Sequence, residues 1–502
     1  MSAGLALLVS SPMWADCPIV PHSLLELAAA LRAAGLPVAL VDRKLPPHAP
    51  LSKAAVAVLI DEIVAEVARR SPAWVGLSCF TSDYWCCREL AERIRERTPV
   101  PIVVGGPHPT LRPADFFYPG SPFDVAVIGE GDVTLPELVA DDGGRARDEV
   151  RGIAFRRGGG VVRTSRRPFV EDLGTLSRPA YDLLDMEYYL RPNRFVARTL
   201  LLSGVQIYTS RGCPFGCTFC AARMIQEAQG LAPTIRHRPV AHVIETLRWL
   251  REGFALESFY IADDTFAVPP SRALEFCQGY RASGLGLPWA AQTRVNVLDE
   301  PLARELRDAG CVQLDFGIES GSDAALRRMR KGTTVADAHR AVALCREHGL
   351  RVFANIMLNT PGETEEDVRL TRRLMRELRA DHYSLLLTAP MPGSRIFEER
   401  FGADGLGPED YRVFARPDLY NRIVDPRLRL ASHDLDLGRL YVALNLRYYL
   451  RNNFSIVSCS RWYLRLLAAS RRKPAYLAAA VSSVLRVSWR SLTKLVALVR
   501  RR

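Results

Sequence analysis

The sequence predicts an α/β protein with a doubly wound (Rossmann-like) parallel sheet at its N-terminus, a second strand-and-helix region after it, and a helical, basic C-terminal region. Three observations support this prediction. Short, continuous apolar runs alternate with amphipathic stretches up to about residue 142, which is the pattern of buried parallel strands joined by helices. The same alternation returns between about residues 200 and 400. Acidic residues end at Asp436, whereas basic residues continue to the last position.

The first region, residues 1–142, alternates five predicted strands with helices. The strands are predicted at residues 5–9, 38–41, 74–78, 102–104 and 125–128, and the helices at residues 24–34, 56–69 and 86–97. In open parallel sheets, ligands bind outside the carboxyl ends of the strands. These ends are rich in hydroxyl groups and in glycine, which lets the backbone approach a ligand closely. The candidate ligand-binding residues are Ser78, Thr81, Gly105, Gly106, His108, Gly129, Glu130, Gly131 and Thr134.

A predicted hairpin and a proline-marked linker, residues 143–195, separate this region from the second one. The second region, residues 196–400, again alternates strands and helices, and residues 401–502 form the C-terminal helical region. Six strands are predicted, at residues 205–208, 259–262, 289–292, 313–318, 352–358 and 382–387. Barrels of strands and helices carry their active sites at the carboxyl ends of the strands. Polar residues at those ends are therefore the candidates for a second site.

Three cysteines, Cys213, Cys217 and Cys220, stand in the loop after the first strand of the second region, with the spacing C-x-x-x-C-x-x-C. Thiolates are soft ligands that suit iron-sulfur clusters. Four cysteines would ligate every iron of a 4Fe-4S cluster, whereas three leave one iron open to a small molecule. The alternatives are a zinc site, which requires a fourth Cys or His nearby, and three packed cysteines without a metal.

The other eight cysteines do not suggest a disulfide framework. They are Cys17, Cys79, Cys277, Cys311, Cys345 and Cys459, which are scattered singly, and the adjacent pair Cys86 and Cys87. This usage and an oxygen-sensitive cluster favour the reducing cytoplasm. Residues 1–9 lack the basic start of a signal peptide and are predicted as a strand. No run of eighteen apolar residues predicts a transmembrane helix.

The net charge of +12 is concentrated in the C-terminal region, where fourteen basic residues and no acidic one follow Asp436. Residues 476–499 are predicted to form an amphipathic helix. Its basic face carries Arg486, Arg490 and Lys494, and its apolar face carries Leu485, Trp489, Leu492 and Val496. Such a helix lies in a membrane interface that contains anionic lipid, or it packs on the preceding domain. Nucleic-acid binding is disfavoured, because no RNA-binding module accompanies these charges.

These motifs, in this order, resemble the cobalamin-dependent radical S-adenosylmethionine (radical SAM) enzymes, also called class B radical SAM methyltransferases. The resemblance covers about residues 4–400. It implies a cobalamin-binding domain followed by a partial (β/α)6 barrel with a 4Fe-4S cluster on the three cysteines. The open iron chelates the amino and carboxylate groups of SAM, and an electron from the cluster cleaves SAM to a 5'-deoxyadenosyl radical.

The resemblance also implies a SAM site at the strand ends of the second region. SAM carries an ammonium, a carboxylate and a sulfonium group, so its pocket needs an acid, a base and close backbone. Asp264 or Glu319 supplies the acid, and Arg294 or Lys331 supplies the base. Either carboxylate, taken alone, is equally a loop charge or a helix N-cap, and Phe219 either covers the adenine or packs in the core. The full predicted set is Phe219, Asp264, Gln292, Arg294, Glu319, Ser320, Lys331 and Asn355.

For the first region, the resemblance implies that cobalamin binds at the strand-end residues named above. The sequence departs from many cobalamin proteins in lacking Asp-x-His-x-x-Gly, whose histidine binds cobalt. We therefore expect cobalamin without a protein histidine on its cobalt. The alternative is a flavodoxin-like domain that has lost its ligand or only docks partners.

The implied activity is C-methylation of an unactivated carbon in a secondary metabolite or lipid-like substrate. By the resemblance, one SAM methylates cobalamin and a second provides the radical that activates the substrate. An external electron donor of the flavodoxin or ferredoxin type is expected, and the protein is expected in the cytoplasm with membrane contact through its tail. The alternatives are a cyclase or oxidase of a tetrapyrrole or terpenoid without methyl transfer, and a non-catalytic iron-sulfur scaffold.

Overall fold

A computed structural model describes residues 4–46, 49, 51–140, 147–198, 200–230, 232–402, 406–415, 425–448, 452 and 466–479. Two main sheets organise this part of the chain. The first sheet has seven strands: β1 (Ala6–Val9), β2 (Val38–Val41), β3 (Trp74–Ser78), β4 (Ile102–Gly105), β5 (Val125–Val127), β6 (Ile153–Arg157) and β7 (Gly160–Arg163). Their order is β2-β1-β3-β4-β5-β6-β7.

The first five strands are parallel, as predicted, and helices cover both faces of the sheet. The helices are α1 (His22–Ala33), α2 (Lys53–Arg70), α3 (Tyr84–Arg97), α4 (Pro107–Leu111) and α5 (Gly131–Ala140). Alternate residues of β1 enter different cores: Leu8 packs with Leu24 of α1, whereas Leu7 packs with Ile60 of α2. This alternation follows from the two-residue period of a strand and confirms the doubly wound prediction.

The predicted hairpin after this region is present as β6 and β7, and it extends the first sheet rather than standing alone. β6 pairs with β5 in antiparallel orientation, and β7 pairs with β6 in the same way. A short helix, α6 (Met186–Tyr189), then leads to a second hairpin of β8 (Asn193–Ala197) and β9 (Leu200–Leu202).

The second main sheet consists of six parallel strands in sequential order, as predicted for a partial barrel. They are β10 (Val205–Ile207), β13 (Phe259–Ile261), β14 (Trp289–Thr293), β15 (Cys311–Glu319), β16 (Arg351–Leu358) and β17 (His382–Leu387). Between the first two strands lie the short paired strands β11 (Ser210–Arg211) and β12 (Arg236–His237).

Helices follow the barrel strands and cover their outer surface with a large apolar core. They are α8 (Val240–Phe254), α9 (Pro270–Ala282), α10 (Glu300–Asp308), α12 (Val335–Glu347), α13 (Glu365–Leu378) and α15 (Leu437–Arg447). Three further helices in the described part of the chain lie outside this core: α7 (Ala222–Ala228), α11 (Asp323–Arg328) and α14 (Arg395–Phe401). Among the described residues, none of the helices is both long enough and apolar enough to span a membrane.

The start of the basic tail, residues 466–479, lies against the barrel. The Ser203 amide donates a hydrogen bond to the Tyr476 hydroxyl over 2.9 Å. Arg472 Nη1 donates to the Ala255 carbonyl over 2.8 Å, and Ser470 Oγ donates to the Glu257 carboxylate over 2.8 Å. Most of the predicted amphipathic helix, residues 480–499, lies outside the described residues.

Candidate functional site

The cysteine loop begins at the carboxyl end of β10 and is anchored there by Asp263. The buried Asp263 carboxylate accepts hydrogen bonds from the Thr209 amide (2.6 Å), the Ser210 amide (3.1 Å) and the Ser210 hydroxyl (2.7 Å). Burial raises the pKa of Asp263 to about 6, although these donors favour its charged form. Its neighbour Asp264 is exposed. Asp263 therefore fixes the loop, and Asp264 is the carboxylate left open to a ligand.

The three cysteines of this loop differ from the others in the described part of the chain. Cys213 and Cys217 are partly exposed and Cys220 is exposed, whereas the other seven described cysteines are buried. Asp264, Cys217 and Cys213 act on the Cys220 thiol as neighbouring negative charges. The four groups therefore lie close together.

The loop geometry fits an iron-sulfur cluster. Gly212 has φ +94°, and a Cβ there would lie 2.5 Å from the Thr234 carbonyl oxygen, so the turn before Cys213 requires glycine. In the described residues, no group of three or more His, Cys, Asp or Glu side chains is arranged to hold a metal ion. Cluster thiolates each bind a different iron and need not converge on one point. Three soft thiolates on one loop are a donor set that suits an iron-sulfur cluster.

Arg294 supports this loop from the next strand end. Its guanidinium lies 3.8 Å from the centre of the Phe215 ring, and Nη1 lies 3.8 Å from Cys217 Sγ. Nη2 donates to the Lys331 carbonyl. Because Arg294 is buried and these groups surround it, it ties the cysteine loop to the segment after α11. The sequence placed it among the candidate bases for SAM, and the structure gives it a supporting position.

Glu319 and Lys331 form a buried ion pair beside the cysteine loop. Lys331 Nζ lies 2.8 Å from Glu319 Oε1, and each side chain is 8% exposed. The ammonium is also 5.8 Å from the centre of the Phe219 ring. Phe219 itself packs against the apolar cluster that contains Met329 and Met357. The sequence analysis predicts Glu319 and Lys331 as separate contacts of SAM, and the structure joins them as one charged pair.

The remaining predicted SAM residues occupy different places. Gln292 and Asn355 face the interior of the barrel, because their strand neighbours Ala291 and Ala354 belong to the outer core. We call this interior space, lined by Tyr208, Asp264, Gln292 and Asn355, the barrel lumen. Ser320 is not in it. The Ser320 hydroxyl is buried, lies 3.2 Å from the Thr371 hydroxyl and accepts from the Ser322 amide.

A cavity of about 300 Å³ lies at the carboxyl ends of the strands of the first sheet. It is largely apolar, and glycines form much of its rim. Six of the nine predicted cobalamin-binding residues line it: Ser78, Gly105, Gly106, Gly129, Glu130 and Gly131. None of the described residues that line it is a histidine. Apolar side chains and glycines that let the backbone approach a ligand closely make this cavity a candidate site for the cofactor of the first region.

The other three predicted residues are turned away from this cavity. His108 is fully buried, with Nδ1 2.8 Å from the Thr81 hydroxyl and Nε2 3.2 Å from the Asp115 carboxylate. The Tyr411 hydroxyl donates to the same carboxylate over 2.7 Å. Thr134 is buried and accepts from Arg167 Nε. These groups form hydrogen bonds that stabilise the domain and its contact with residues 406–415.

A network of charged side chains that the sequence analysis missed joins the cavity to the cysteine loop. Arg211, two residues before Cys213, forms a bidentate pair with Asp132 at 2.8 and 3.0 Å. It also bonds to Glu26. The other bonds of the network run from Arg236 to Glu130 and from Arg238 to Glu26. The motif around Glu130 and Asp132 and the arginine before the first cysteine were visible in the sequence, but nothing there showed that they meet.

His22 lies beside this network, and its protonation makes the stability of the folded protein depend on pH. Burial, together with Arg238 and Arg211, lowers the pKa of His22 to about 4, against the opposing charge of Glu26. Its ring packs on Tyr208 at 4.7 Å and on Tyr181 at 6.3 Å. In the unfolded chain His22 binds a proton at its ordinary pKa of about 6.5, whereas in the folded protein it does so only near pH 4. The stability that the fold has with a neutral His22 is therefore complete above pH 6.5 and is lost as the pH falls to 4.

We expect His22→Phe to weaken the acid sensitivity of the protein. The melting temperature of the wild type should fall more steeply between pH 6.5 and 4 than that of the variant, by the equivalent of roughly 3 kcal/mol if His22 stays neutral in the fold. His339→Gln, at a half-exposed position of α12, is the control and should follow the wild type. Parallel curves for His22→Phe and the wild type would contradict the expectation.

Two family models match the chain. A model described as the Radical SAM superfamily matches residues 207–375, and a model described as a B12 binding domain matches residues 18–139. The first range contains the three cysteines and the four barrel strands β13 to β16. The second contains all the predicted cobalamin-binding residues. The two regions described above therefore correspond to these two domains.

Similar proteins contain the same pair of regions. The chain is 29% identical over 395 residues to an uncharacterized methyltransferase of Pyrococcus horikoshii, covering 78% of this chain and 81% of that protein. It is 27% identical to an anaerobic magnesium-protoporphyrin IX monomethyl ester cyclase of Rubrivivax gelatinosus, covering 68% of this chain and 60% of that protein.

The fold is similar to a solved structure of the radical S-adenosylmethionine methyltransferase TsrM from Kitasatospora setae, which contains cobalamin and a [4Fe-4S] cluster. The TM-score is 0.66 at 20% identity, and the match covers 90% of this chain and 89% of that one. The likeness extends beyond either domain alone and includes the way in which the two regions follow each other.

Proposed function

The chain belongs to the cobalamin-dependent radical SAM enzymes, and from this premise we propose that it transfers a methyl group to an unactivated carbon of a small-molecule substrate. One observation carries the proposal: Arg211 lines the cavity of the first domain and stands two residues before Cys213. The two proposed cofactor sites are therefore adjacent, with Arg211 between them. Methyl transfer between a cobalamin carrier and a radical formed at the cluster requires such proximity.

The cofactors supply the chemistry that side chains lack: the cluster and SAM generate a carbon radical, and cobalamin carries the methyl group. Cys213, Cys217 and Cys220 hold three irons of the cluster, and Asp263 and Arg294 keep their loop in place. Glycines at the strand ends, with Ser78 and Glu130, hold cobalamin. We expect cobalamin bound here to have no protein histidine on its cobalt, which spectroscopy of the reconstituted protein would show.

For SAM, we propose that Asp264 and the Glu319–Lys331 pair provide the charged contacts. Asp264 is exposed at the end of its strand, and a nearby ammonium would stabilise its charged form. Lys331 and Glu319 lie beside Phe219 in the cysteine loop. Gln292 and Asn355 lie deeper in the lumen, towards the substrate.

Methyl transfer is tested by following the methyl group. Protein reconstituted anaerobically with cluster and cobalamin is incubated with SAM labelled in its methyl group, a flavodoxin- or ferredoxin-type reductant and fractionated small-molecule extracts. We expect 5'-deoxyadenosine and a product that carries the label and gains the mass of one CH2. A product formed without the label would contradict methyl transfer and would favour a cyclase, the activity named for the relative from Rubrivivax gelatinosus.

The variant Gly105→Leu tests whether cobalamin binds in the cavity of the first region. Gly105 lines the cavity, and a Cβ there meets only Val127, at 3.7 Å, so a leucine fills ligand space without straining the backbone. We expect the variant to lose cobalamin on desalting while it retains the iron and sulfide of its cluster, measured by absorption spectra and iron analysis.

Gly253→Leu is the matched control, because Gly253 lies on α8 with open space around its added Cβ. This variant should retain cobalamin as the wild type does. Equal retention of cobalamin by Gly105→Leu and Gly253→Leu would show that the cavity is not the cobalamin site.

We also propose that basic residues after 479 bring the protein to anionic membranes, where a lipid-like substrate would be found. Each basic residue near an anionic leaflet contributes roughly 1 kcal/mol. We expect the full chain, but not a truncation after Ala479, to float with vesicles that contain anionic lipid. This truncation keeps the contacts of Arg472 and Tyr476 with the barrel. Equal flotation of the two proteins would reject membrane contact through this segment.

A further inference from the structure

The hairpin of β8 and β9 closes the barrel lumen at the end where the strands begin. Its apolar residues, among them Val196 and Leu200, pack against Tyr260 and Ala290 on the barrel strands. The amide of Gln313, near the start of β15, donates to the Arg198 carbonyl over 3.2 Å. The tip of the hairpin therefore lies against the inner surface of the sheet.

The Arg198 side chain extends from this tip into the lumen. Nη1 donates to Asn355 Oδ1 and Nη2 donates to Gln292 Oε1, both over 3.3 Å. Nε lies 3.6 Å from the buried Asp315 carboxylate. Gln292 also donates to the Asp263 carbonyl over 2.6 Å. Gln292 therefore connects Arg198 to Asp263, the residue that anchors the cysteine loop.

The guanidinium has capacity for another partner. It carries five N–H bonds, and the described residues give it two hydrogen bonds, both to neutral amide oxygens. The carboxylate oxygens of Asp315 are already used by the Tyr260 hydroxyl (2.9 Å) and the Gln313 amide (2.9 Å). Unlike Arg294, Arg198 is 40% exposed at its side chain.

The exposed surface of Arg198 lies on the inner side of the barrel sheet. Its partners Gln292 and Asn355 are on β14 and β16 and face the interior. Tyr208, after the end of β10, is 38% exposed. Polar side chains that converge on the inside of a barrel are the usual means of orienting a small-molecule ligand.

We propose that Arg198 recognises an oxoanion of the substrate, a carboxylate or a phosphate group, at the floor of the barrel lumen. The planar fork of a guanidinium matches two oxygens of such a group. Gln292 and Asn355 hold the guanidinium in place through hydrogen bonds. The centre of the Phe353 ring lies 5.6 Å from the guanidinium carbon. This inference rests on the proposed function, since it concerns the substrate of the same barrel, and it makes Arg198 a specificity-determining residue.

The test measures binding of simple oxoanions, separately from turnover. Anaerobically reconstituted protein is titrated with inorganic phosphate or with acetate at constant ionic strength, and Arg198 is followed by phenylglyoxal modification and peptide mass spectrometry. We expect one of the two anions to protect Arg198 and to bind Arg198→Gln roughly ten- to a hundredfold more weakly, as calorimetry would show. The protecting anion distinguishes a phosphorylated substrate from a carboxylic acid.

Arg198→Lys keeps the charge without the fork and should also lose at least tenfold in affinity, which covers the case in which Arg198→Gln does not fold. Arg304→Gln, on the exposed face of α10, is the control and should bind like the wild type. The proposal is overturned if neither anion protects Arg198, or if the Arg198 variants bind as well as the control. Because no step requires SAM cleavage, failure of methyl transfer leaves this result unaffected.

Discussion

Cys217→Ala is expected to reduce SAM cleavage to the background rate without unfolding the protein. The thiolate is one of three that the cluster requires, and an iron that loses its ligand leaves the cluster incomplete. Cys217 lies on a partly exposed loop, where substitutions usually change stability by less than about 0.5 kcal/mol. The measurement is 5'-deoxyadenosine formation under reduction, together with iron content and circular dichroism.

Cys277→Ala is the matched control. Cys277 is buried on α9 in the apolar core, so its loss leaves a small cavity but no missing ligand. We expect this variant to melt earlier and to cleave SAM normally. If Cys217→Ala formed 5'-deoxyadenosine at the rate of Cys277→Ala, the three-cysteine cluster would not be the source of the radical.

The sequence predicted the strands of both sheets because their signal is local. Buried parallel strands are continuous apolar runs, and those from Trp74 and from His382 begin where the structure has them. The barrel strand ends also carried recognisable motifs, so the cysteine loop and Asp264 could be identified. What the sequence left open was the direction of each side chain, as at Asp263 and Asp264. That choice depends on the hydrogen bonds from Thr209 and Ser210.

The features that the sequence did not predict all depend on contacts between distant segments. His108 follows a glycine pair at a strand end, where a ligand is expected, but Asp115 and Tyr411 draw it into the interior. Arg198 stands in a hairpin with no motif around it, and its partners Gln292 and Asn355 are 94 and 157 residues away. Local pattern carries no information about such pairs.

Arg211→Met is expected to weaken the joint between the two cofactor domains. It leaves Asp132, 6% exposed at its side chain, without the cation that pairs with it. Removing one partner of a buried pair costs about 3–5 kcal/mol, and the partial exposure of Arg211 reduces this to roughly 2–3 kcal/mol. We expect a lower melting temperature and faster loss of cobalamin on desalting, because Arg211 also lines the cobalamin cavity.

The effect of Arg211→Met should depend on pH in a defined direction. Burial opposes the charge of Glu26, but His22, once it is protonated below about pH 4, together with Arg211 and Arg238, lowers the pKa of Glu26 to about 2. The pairing therefore contributes fully above pH 4.5 and is lost as the pH falls towards 2, so the difference between wild type and variant should shrink over that range.

Two further variants separate pairing from packing. Arg304→Met removes an exposed pair on α10 and should cost less than about 0.5 kcal/mol. Adding Asp132→Asn to Arg211→Met removes the unpaired charge and should recover part of the lost stability. Equal melting temperatures for Arg211→Met and Arg304→Met would mean that the network does not stabilise the joint. In that case the alignment of the cobalamin cavity with the cysteine loop would depend on other contacts between the two regions, such as that of His22 in α1 with Tyr208.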